Sequence, residues 1–140
     1  SDVPGFNPDR FKIEHIFTLE NLERLKTGGR ISKTAAFVGD LFNIKPILEV
    51  KKGKIELLKK VRGYNRAYQK ILNIMSERGS NLKDQLIGIS YTGDKENALK
   101  LKSMIQDHFG SEKFMVNMIS NVLTVHLGRS GVGVFFINDN

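Results

Sequence analysis

Along this chain, segments whose hydrophobic residues have the spacing typical of strands alternate with segments that have the spacing typical of helices. Runs or alternations of apolar residues predict strands at 11–17, 46–50, 54–61, 85–92, 114–119 and 132–137, with another beginning at 123–127. Apolar residues three or four positions apart predict helices after Thr18, after Ser32, over 65–78 and from Asp94 to about 109. Without the strand that begins at 123–127, the order is βααββαβαββ, which combines hairpin and crossover connections. It predicts a single α/β domain over 1–140 with helices packed on a mixed β-sheet.

The charge of the chain is concentrated in one stretch. The formal net charge is +7, and residues 51–83 alone carry ten basic and two acidic side chains. Such a block favours encounter with an acidic partner, whether nucleic acid, an anionic membrane surface or a protein. A solvated hairpin and helix face explain the same block equally well.

Composition excludes several classes of chemistry. The chain has no cysteine, so disulfides, thiolate metal sites and cysteine nucleophiles are ruled out. Its three histidines, His15, His108 and His126, are too far apart for a metal-ligand motif, and we expect no metal and no cofactor. No apolar run is long enough to insert stably in a membrane, and no secretory signal opens the sequence. We therefore expect a cytoplasmic location.

The segment 28–33, GGRISK, combines features that suit an anion. Two glycines allow backbone N–H groups to approach a ligand, and Arg30 offers a planar fork of donors. Ser32 adds a hydroxyl at the predicted start of a helix, where the helix dipole also favours negative charge. Ordinary helix capping by the glycines and Ser32 is the competing explanation.

A second candidate lies in the segment 124–133, TVHLGRSGVG. His126 sits at a predicted strand end before a glycine-rich turn, where an imidazole can donate a hydrogen bond or carry a proton. Arg129 in the same turn is a further cation that could hold an anion. A surface turn with a half-buried histidine is the alternative.

Apolar residues flank both segments and are suited to line a pocket or to fill a core, and the sequence does not separate these two roles. The candidate lining residues are Ile31, Ala35, Leu41, Ile44, Ile119, Leu123 and Phe135.

Four segments together resemble the bacterial DegV family. Residues 22–32 read LERLKTGGRIS, similar to the family's LxxLxxGGRIS signature, and residues 43–48 read NIKPIL, as the family's segment does. Residues 53–62, GKIELLKKVR, resemble its hairpin, and residues 125–136, VHLGRSGVGVFF, resemble its terminal element. The likeness covers nearly the whole chain from residue 17 onward, in the family's order. One departure is Arg129-Ser130, where the family commonly has proline after the glycine.

The resemblance implies a fold and a function. It implies the C-terminal domain of a two-domain protein, with an N-terminal domain of comparable size outside this chain. It implies a carrier without enzymatic activity of its own, which binds one long-chain fatty acid and presents it to a fatty acid kinase that makes acyl phosphate. Arg30, Ser32 and His126 would then lie near the carboxylate.

The resemblance also implies partners. Lys60, Arg62 and Arg66 would form the docking surface for the kinase, and no cofactor is implied beyond the fatty acid as ligand. An apolar face that the absent domain should cover leads us to expect self-association.

The alternative function is a nucleic-acid-binding domain that uses the basic stretch 51–83. Only two aromatic residues, Tyr64 and Tyr68, lie in that stretch, both on a predicted helix, and no helix-turn-helix or base-stacking platform is evident. We therefore expect no nucleic-acid partner.

Overall fold

Six strands and two helices make up the part of the chain that the structure, a computed structural model, describes: residues 12–20, 43–119 and 130–139. The elements are β1 Lys12–Thr18, β2 Ile44–Lys51, β3 Lys54–Arg62, α1 Tyr64–Arg78, β4 Ile87–Tyr91, α2 Lys95–Phe109, β5 Phe114–Met118 and β6 Val132–Asn138. Each agrees with a predicted element to within a few residues. The helices predicted after Thr18 and Ser32 and the strand predicted from residue 123 lie outside the described residues.

The strands form one sheet in the order β3-β2-β1-β6-β4-β5. Of the five neighbouring pairs among the described strands, four are antiparallel and the fifth, β4 with β5, which α2 connects, is parallel. The predicted mixed α/β sheet is therefore confirmed. β1, the earliest strand described, lies inside the sheet between β2 and β6.

The hairpin of β2 and β3 turns on the dipeptide that the sequence indicated. Lys52 and Gly53 have φ angles of 52° and 76°, and two successive positive φ angles match the twist that a tight hairpin needs. The pairing of the two strands shifts register between Ile47 and Leu48, so β3 contains an extra residue there.

Both helices pack on the same face of the sheet. Their buried residues meet alternate side chains of the central strands and build the main core. That core contains Ile16, Ile47, Ala67, Tyr68, Ile71, Leu72, Ile74, Met75, Leu82, Ile87, Ile89, Ala98, Leu101, Ile105, Val132, Val134 and Phe136. It fixes which face of each strand is turned away from the helices.

An ion-pair network ties the end of α1 to the sheet. Nη1 of Arg78 donates to Oε2 of Glu14 at 2.9 Å and to Oε1 of Glu49 at 2.8 Å. Burial lowers the pKa of Arg78, but the hydrogen bonds and charges of the two carboxylates outweigh it and leave that pKa raised. The network holds α1 against β1 and β2 at the end of the sheet that carries the β2–β3 turn.

The face opposite the helices, called the outer face below, carries a second, smaller cluster. Phe17, Leu19 and Leu48 are buried there, with Ile55 and Leu57 packed against them. Since this cluster lies on β1, β2 and β3, it covers one half of the outer face only.

Candidate functional site

The ends of all six described strands lie at one end of the sheet, called the front end below. Thr18 at the close of β1 pairs with Ile47 and with Val132, while Ile44 at the start of β2 pairs with Arg62. Tyr91 at the close of β4 also pairs with Val132. The carboxyl ends of β1, β3, β4 and β5 therefore lie beside the amino ends of β2 and β6.

A buried lysine joins three segments at the front end. Lys45 is 8% exposed; its Nζ donates to the backbone oxygen of Glu20 at 3.2 Å and lies 4.5 Å from the ring centroid of Tyr64. The hydroxyl of Tyr64 in turn donates to the backbone oxygen of Ser130 at 3.5 Å. Burial of that hydroxyl raises the pKa of Tyr64, so it remains a neutral donor at physiological pH.

A second set of hydrogen bonds fixes the entrance to β6. Thr92 is buried, and its Oγ1 accepts from the backbone N–H of Gly131 at 2.8 Å. The backbone N–H of Thr92 donates to the backbone oxygen of Gly131 at 2.9 Å. The backbone N–H of Ile119 donates to the backbone oxygen of Tyr91 at 2.7 Å. A Cβ on Gly131 would lie 2.8 Å from Thr92 Oγ1, so this contact requires glycine.

These contacts anchor the described residues that border both candidate segments. Residues 20 and 43 flank the range 21–42, which contains the segment 28–33, and residues 119 and 130 flank the range 120–129, which contains His126; all four flanking residues lie at the front end. Most of the predicted site falls between them: Arg30, Ile31, Ser32, Ala35, Leu41, Leu123 and His126. These residues lie outside the described ranges, so their roles stay predictions.

Three predicted lining residues are described, and the structure does not bring them together. Ile44 stands at the front end of β2, Phe135 is in the middle of β6, and Ile119 directly follows β5. β2 and β5 are four strand spacings apart, or roughly 19 Å. Phe135 alone lies in a groove of the outer face.

That groove is apolar and shallow. It has a volume of about 230 Å³ and is lined by Ile13, Leu86, Gly88, Met115, Phe135, Phe136 and Ile137. Its volume is below the 300–1,000 Å³ of typical ligand pockets. By its volume it is therefore not a complete ligand pocket on its own.

An imidazole lies beside the groove among aromatic rings. His15 stacks on Phe135 with ring centroids 3.8 Å apart and an interplanar angle of 18°, and its ring is 5.3 Å from that of Phe17. Burial lowers the pKa of His15 to about 4, because desolvation disfavours the charged form. His15 is therefore neutral at physiological pH.

The three basic residues predicted to dock a partner are exposed. Lys60 and Arg62 lie on β3, an outermost strand of the sheet, and Arg66 lies in the first turn of α1. Arg62 and the start of α1 are at the front end. Lysines on an edge strand also oppose unwanted strand pairing, which is the structural explanation of the same charges.

Three residues with unusual environments in the structure are not among the site residues predicted from the sequence. These are the buried cation Lys45, the ring of His15, and Ser90, whose buried hydroxyl has no hydrogen-bond partner among residues 12–20, 43–119 and 130–139. The alternation of Ile13, His15 and Phe17 on one face of β1 was the available signal for His15. Nothing in the local sequence indicates that Lys45 would be buried. Burial of Ser90 was indicated by the apolar strand predicted over 85–92, but its unpaired hydroxyl was not.

Two features are absent from residues 12–20, 43–119 and 130–139. No helix there is long and apolar enough to cross a membrane. Within the same ranges, no three histidine or carboxylate side chains are grouped so that they could hold a metal ion.

The described residues define a class: an α/β protein with a mixed sheet, an apolar outer face, and a front end that holds the residues flanking both candidate segments. The model of the DegV family of uncharacterised proteins matches residues 10–139. The chain belongs to the DegV family.

Relatives and solved structures are consistent with this assignment. A DegV domain-containing protein of Clostridium perfringens is 33% identical over 129 residues, which are 91% of this chain and 44% of that protein. A solved structure of a DegV family protein from Thermus thermophilus, described as binding fatty acid, is 28% identical to this chain and has a TM-score of 0.72. The match covers 91% of this chain and 45% of that one.

A third comparison is with the Streptococcus pneumoniae Fatty Acid Kinase (Fak) B3 protein loaded with linoleic acid. It has a TM-score of 0.76 and 20% identity, and the match covers 92% of this chain and 45% of that one. At this identity the likeness shows the fold alone. The chain spans less than half the length of the relatives it matches.

Proposed function

We propose that this chain forms part of a carrier for one long-chain fatty acid, with the acyl chain along the outer face and the carboxylate at the front end. Arg30, Ser32 and His126 would bind the carboxylate. The observation that carries the proposal is that the described residues flanking 21–42 and 120–129, the ranges with Arg30, Ser32 and His126, lie at the front end of a sheet with an apolar outer face.

The chemistry of the outer face supports an apolar ligand. Large apolar side chains on or beside this face are exposed, among them Ile13 at 72%, Leu86 at 52% and Met115 at 54%. Contiguous apolar surface of this kind marks a ligand site or an interface. The solved relative from Thermus thermophilus is described as binding fatty acid, which favours the ligand.

The free energy of binding requires a closed site. Burying about 14 methylenes of a long acyl chain contributes about 11 kcal/mol at roughly 0.8 kcal/mol each. Association and ordering cost roughly 4–15 kcal/mol, so a ligand covered on one side only would bind poorly. The part of the relatives that this chain does not span would supply the opposite wall.

Mass spectrometry of lipid extracted from the purified protein tests this function. We expect one long-chain fatty acid per protein when the chain is expressed together with the rest of its full-length protein. The 140-residue chain alone should retain little or none. A full-length protein that carries no fatty acid and takes up none from solution would contradict the proposal.

Single substitutions then test the carboxylate site in the full-length protein. Arg30→Ala and His126→Ala should each weaken fatty acid binding about tenfold, the effect of losing a charge-assisted or buried hydrogen bond. Lys113→Ala removes an exposed cation at the opposite end of the sheet and is the matched control. Thermal unfolding of each variant identifies any loss of fold.

We also propose that a fatty acid kinase docks on Lys60, Arg62 and Arg66 and phosphorylates the bound carboxylate. Exposure of these residues and the position of Arg62 and Arg66 at the front end support this role, because the kinase must reach the carboxylate. The name of the Streptococcus pneumoniae protein with the same fold gives the kinase as the partner to test.

A charge-reversal experiment distinguishes docking from bulk charge. Changing Lys60, Arg62 and Arg66 to glutamate in the full-length protein should raise the KM of the kinase for the carrier about tenfold, while fatty acid binding persists. The control changes Lys51, Lys52 and Lys54 to glutamate, with the same change in net charge, at the hairpin turn on the opposite end. Equal effects of the two triple variants would contradict a localised docking surface.

A further inference from the structure

Lys45 and Tyr64 together connect two parts of the backbone at the front end. Nζ of Lys45 donates to the backbone oxygen of Glu20 at 3.2 Å and lies 4.5 Å from the ring centroid of Tyr64. The hydroxyl of Tyr64 donates to the backbone oxygen of Ser130 at 3.5 Å. These three contacts, called the Lys45–Tyr64 bridge below, run from the described residue that precedes one candidate segment to the described residue that follows the other.

Burial makes the ammonium group of Lys45 dependent on this bridge. Lys45 is 8% exposed, and no carboxylate in the part of the chain that the structure describes forms an ion pair with it. A buried charge is costly unless hydrogen bonds or charge partners compensate it. The backbone oxygen of Glu20 and the ring face of Tyr64 supply compensation. A shift of either group would leave the ammonium less well compensated, so Lys45 holds both in place.

The bridge acts just beyond the point where strand pairing stops. β1 ends at Thr18, which is also its last residue paired with β2 and with β6. The same register continued by two residues places Glu20 beside Lys45 on one side and beside Ser130 on the other. Two side chains, rather than a ladder of backbone hydrogen bonds, therefore link these positions.

Both side chains of the bridge are fixed by the core. Tyr64 is the first residue of α1 and packs against the main core, and its ring centroid is 5.7 Å from that of Tyr68, which is 1% exposed. Lys45 lies on β2 two residues before Ile47, which is fully buried in the same core. A binding site is precise when the residues that support it are held by packed helices and strands in this way.

We propose that Lys45 and Tyr64 are positioning residues for the fatty acid carboxylate. The bridge sets the separation of the two candidate segments at the point where they leave the sheet, and Arg30, Ser32 and His126 converge on one carboxylate only at the right separation. This inference rests on the proposed function, because it requires those three residues to bind the carboxylate. Lys45 and Tyr64 act through the backbone of the segments rather than by contact with the fatty acid.

Carboxylate preference in the full-length protein tests the inference. The probes are palmitic acid and hexadecanol, which have the same chain length and differ in the head group, so the ratio of their affinities reports carboxylate binding. Lys45→Met removes the ammonium and keeps the apolar stem, while Tyr64→Phe keeps the ring and removes only the hydroxyl that reaches Ser130. We expect each to weaken palmitic acid binding roughly three- to tenfold, as for a charge-assisted hydrogen bond that is no longer aligned, and to leave hexadecanol binding within about twofold.

Arg78→Met is the matched control. Arg78 also ties α1 to the sheet, by donating to Glu14 and Glu49, but at the opposite end from the bridge. Its loss should loosen α1 and lower the melting temperature without changing the affinity ratio. A double-mutant cycle gives a second readout: Lys45→Met should weaken palmitic acid binding less in an Arg30→Ala background than in the parent protein, since Arg30 then no longer needs to be positioned.

The outcomes separate the two proposals. An unchanged affinity ratio in Lys45→Met and Tyr64→Phe, with palmitic acid bound by the parent protein, would overturn the positioning role and leave the carrier function intact. An equal change of the ratio in Arg78→Met would overturn it too, because loosening of α1 would then be the cause. Binding of neither probe by the parent protein would overturn the carrier function and this inference with it. If Lys45→Met does not fold, Tyr64→Phe, which removes a single oxygen atom, still tests the bridge.

Discussion

At the scale of single residues, His15 has the most unusual environment among the described titratable groups. It is enclosed by Phe17 and Phe135, and burial lowers its pKa from 6.5 to about 4. Between these two pH values the unfolded chain binds a proton that the folded chain does not. The contribution of His15 to stability is therefore complete above about pH 6.5 and is lost as the pH falls toward 4.

A pH series of urea unfolding checks this sign. Between pH 7.5 and pH 5, His15 should reduce the free energy of unfolding by about 1–2 kcal/mol, after allowing for solvent that reaches the ring. The variant His15→Phe should lose that much less stability over the same interval. Parallel pH profiles for the two proteins would mean that the folded ring titrates normally.

At the scale of elements, the close contact of β6 with β1 depends on a residue without a side chain. A Cβ on Gly133 would lie 2.6 Å from the Cβ of Phe17 and 3.1 Å from the backbone oxygen of Ile16. A Cβ on Gly88 would meet its nearest neighbour, the Cβ of Phe135, at 3.3 Å. The first contact requires the strands to shift, while the second requires only a small adjustment.

Two matched alanine variants test this difference. We expect Gly133→Ala to lower the free energy of unfolding by about 1–3 kcal/mol through overpacking. We expect Gly88→Ala to cost less than about 1 kcal/mol, since alanine also restricts the unfolded chain. Chemical denaturation measures both, and equal costs would contradict the packing argument.

The elements could be predicted from the sequence because their signals are local. The dipeptide Lys52-Gly53 marks the hairpin, and Gly110, with a φ of 75°, ends α2 where the pattern indicated. The alternation fails at Ile16 and Phe17, because the second half of β1 is buried on both faces. A strand of this kind is recognised by its apolar content rather than by its period.

The arrangement of the strands and the candidate site could be predicted only in part. No local pattern indicates that β1 lies between β2 and β6, since that order comes from pairings between distant parts of the chain. The burial of Lys45 depends on Tyr64 and on the backbone of Glu20, which only the fold brings together. The roles of Arg30, Ser32 and His126 stay predictions from resemblance.

At the scale of the whole molecule, the uncovered half of the outer face is a liability for the isolated 140-residue chain. Met115, Leu86 and Ile13 are each more than half exposed around one groove. We expect sedimentation at increasing concentration to show self-association of this chain. A monomer at all concentrations would mean that this surface is too small to associate.

Charged substitutions locate the associating face. Leu86→Lys and Met115→Lys should shift the chain toward monomer. Leu99→Lys, at a residue of α2 that is 46% exposed, should not, because the helices cover the other face of the sheet. An equal effect at all three positions would place the contact elsewhere.

The pairing of β1 with β6 has a consequence for synthesis of the chain. The two strands pair along seven residues, although Glu14 and Asn138 are 124 residues apart in sequence. At 5–20 residues per second, β1 leaves the ribosome on the order of 10 s before its partner does. The β2–β3 hairpin can form during that interval, but one edge of β1 stays open until translation reaches β6. Protection of this nascent edge from other chains, rather than the stability of the finished sheet, would then limit the yield of folded protein.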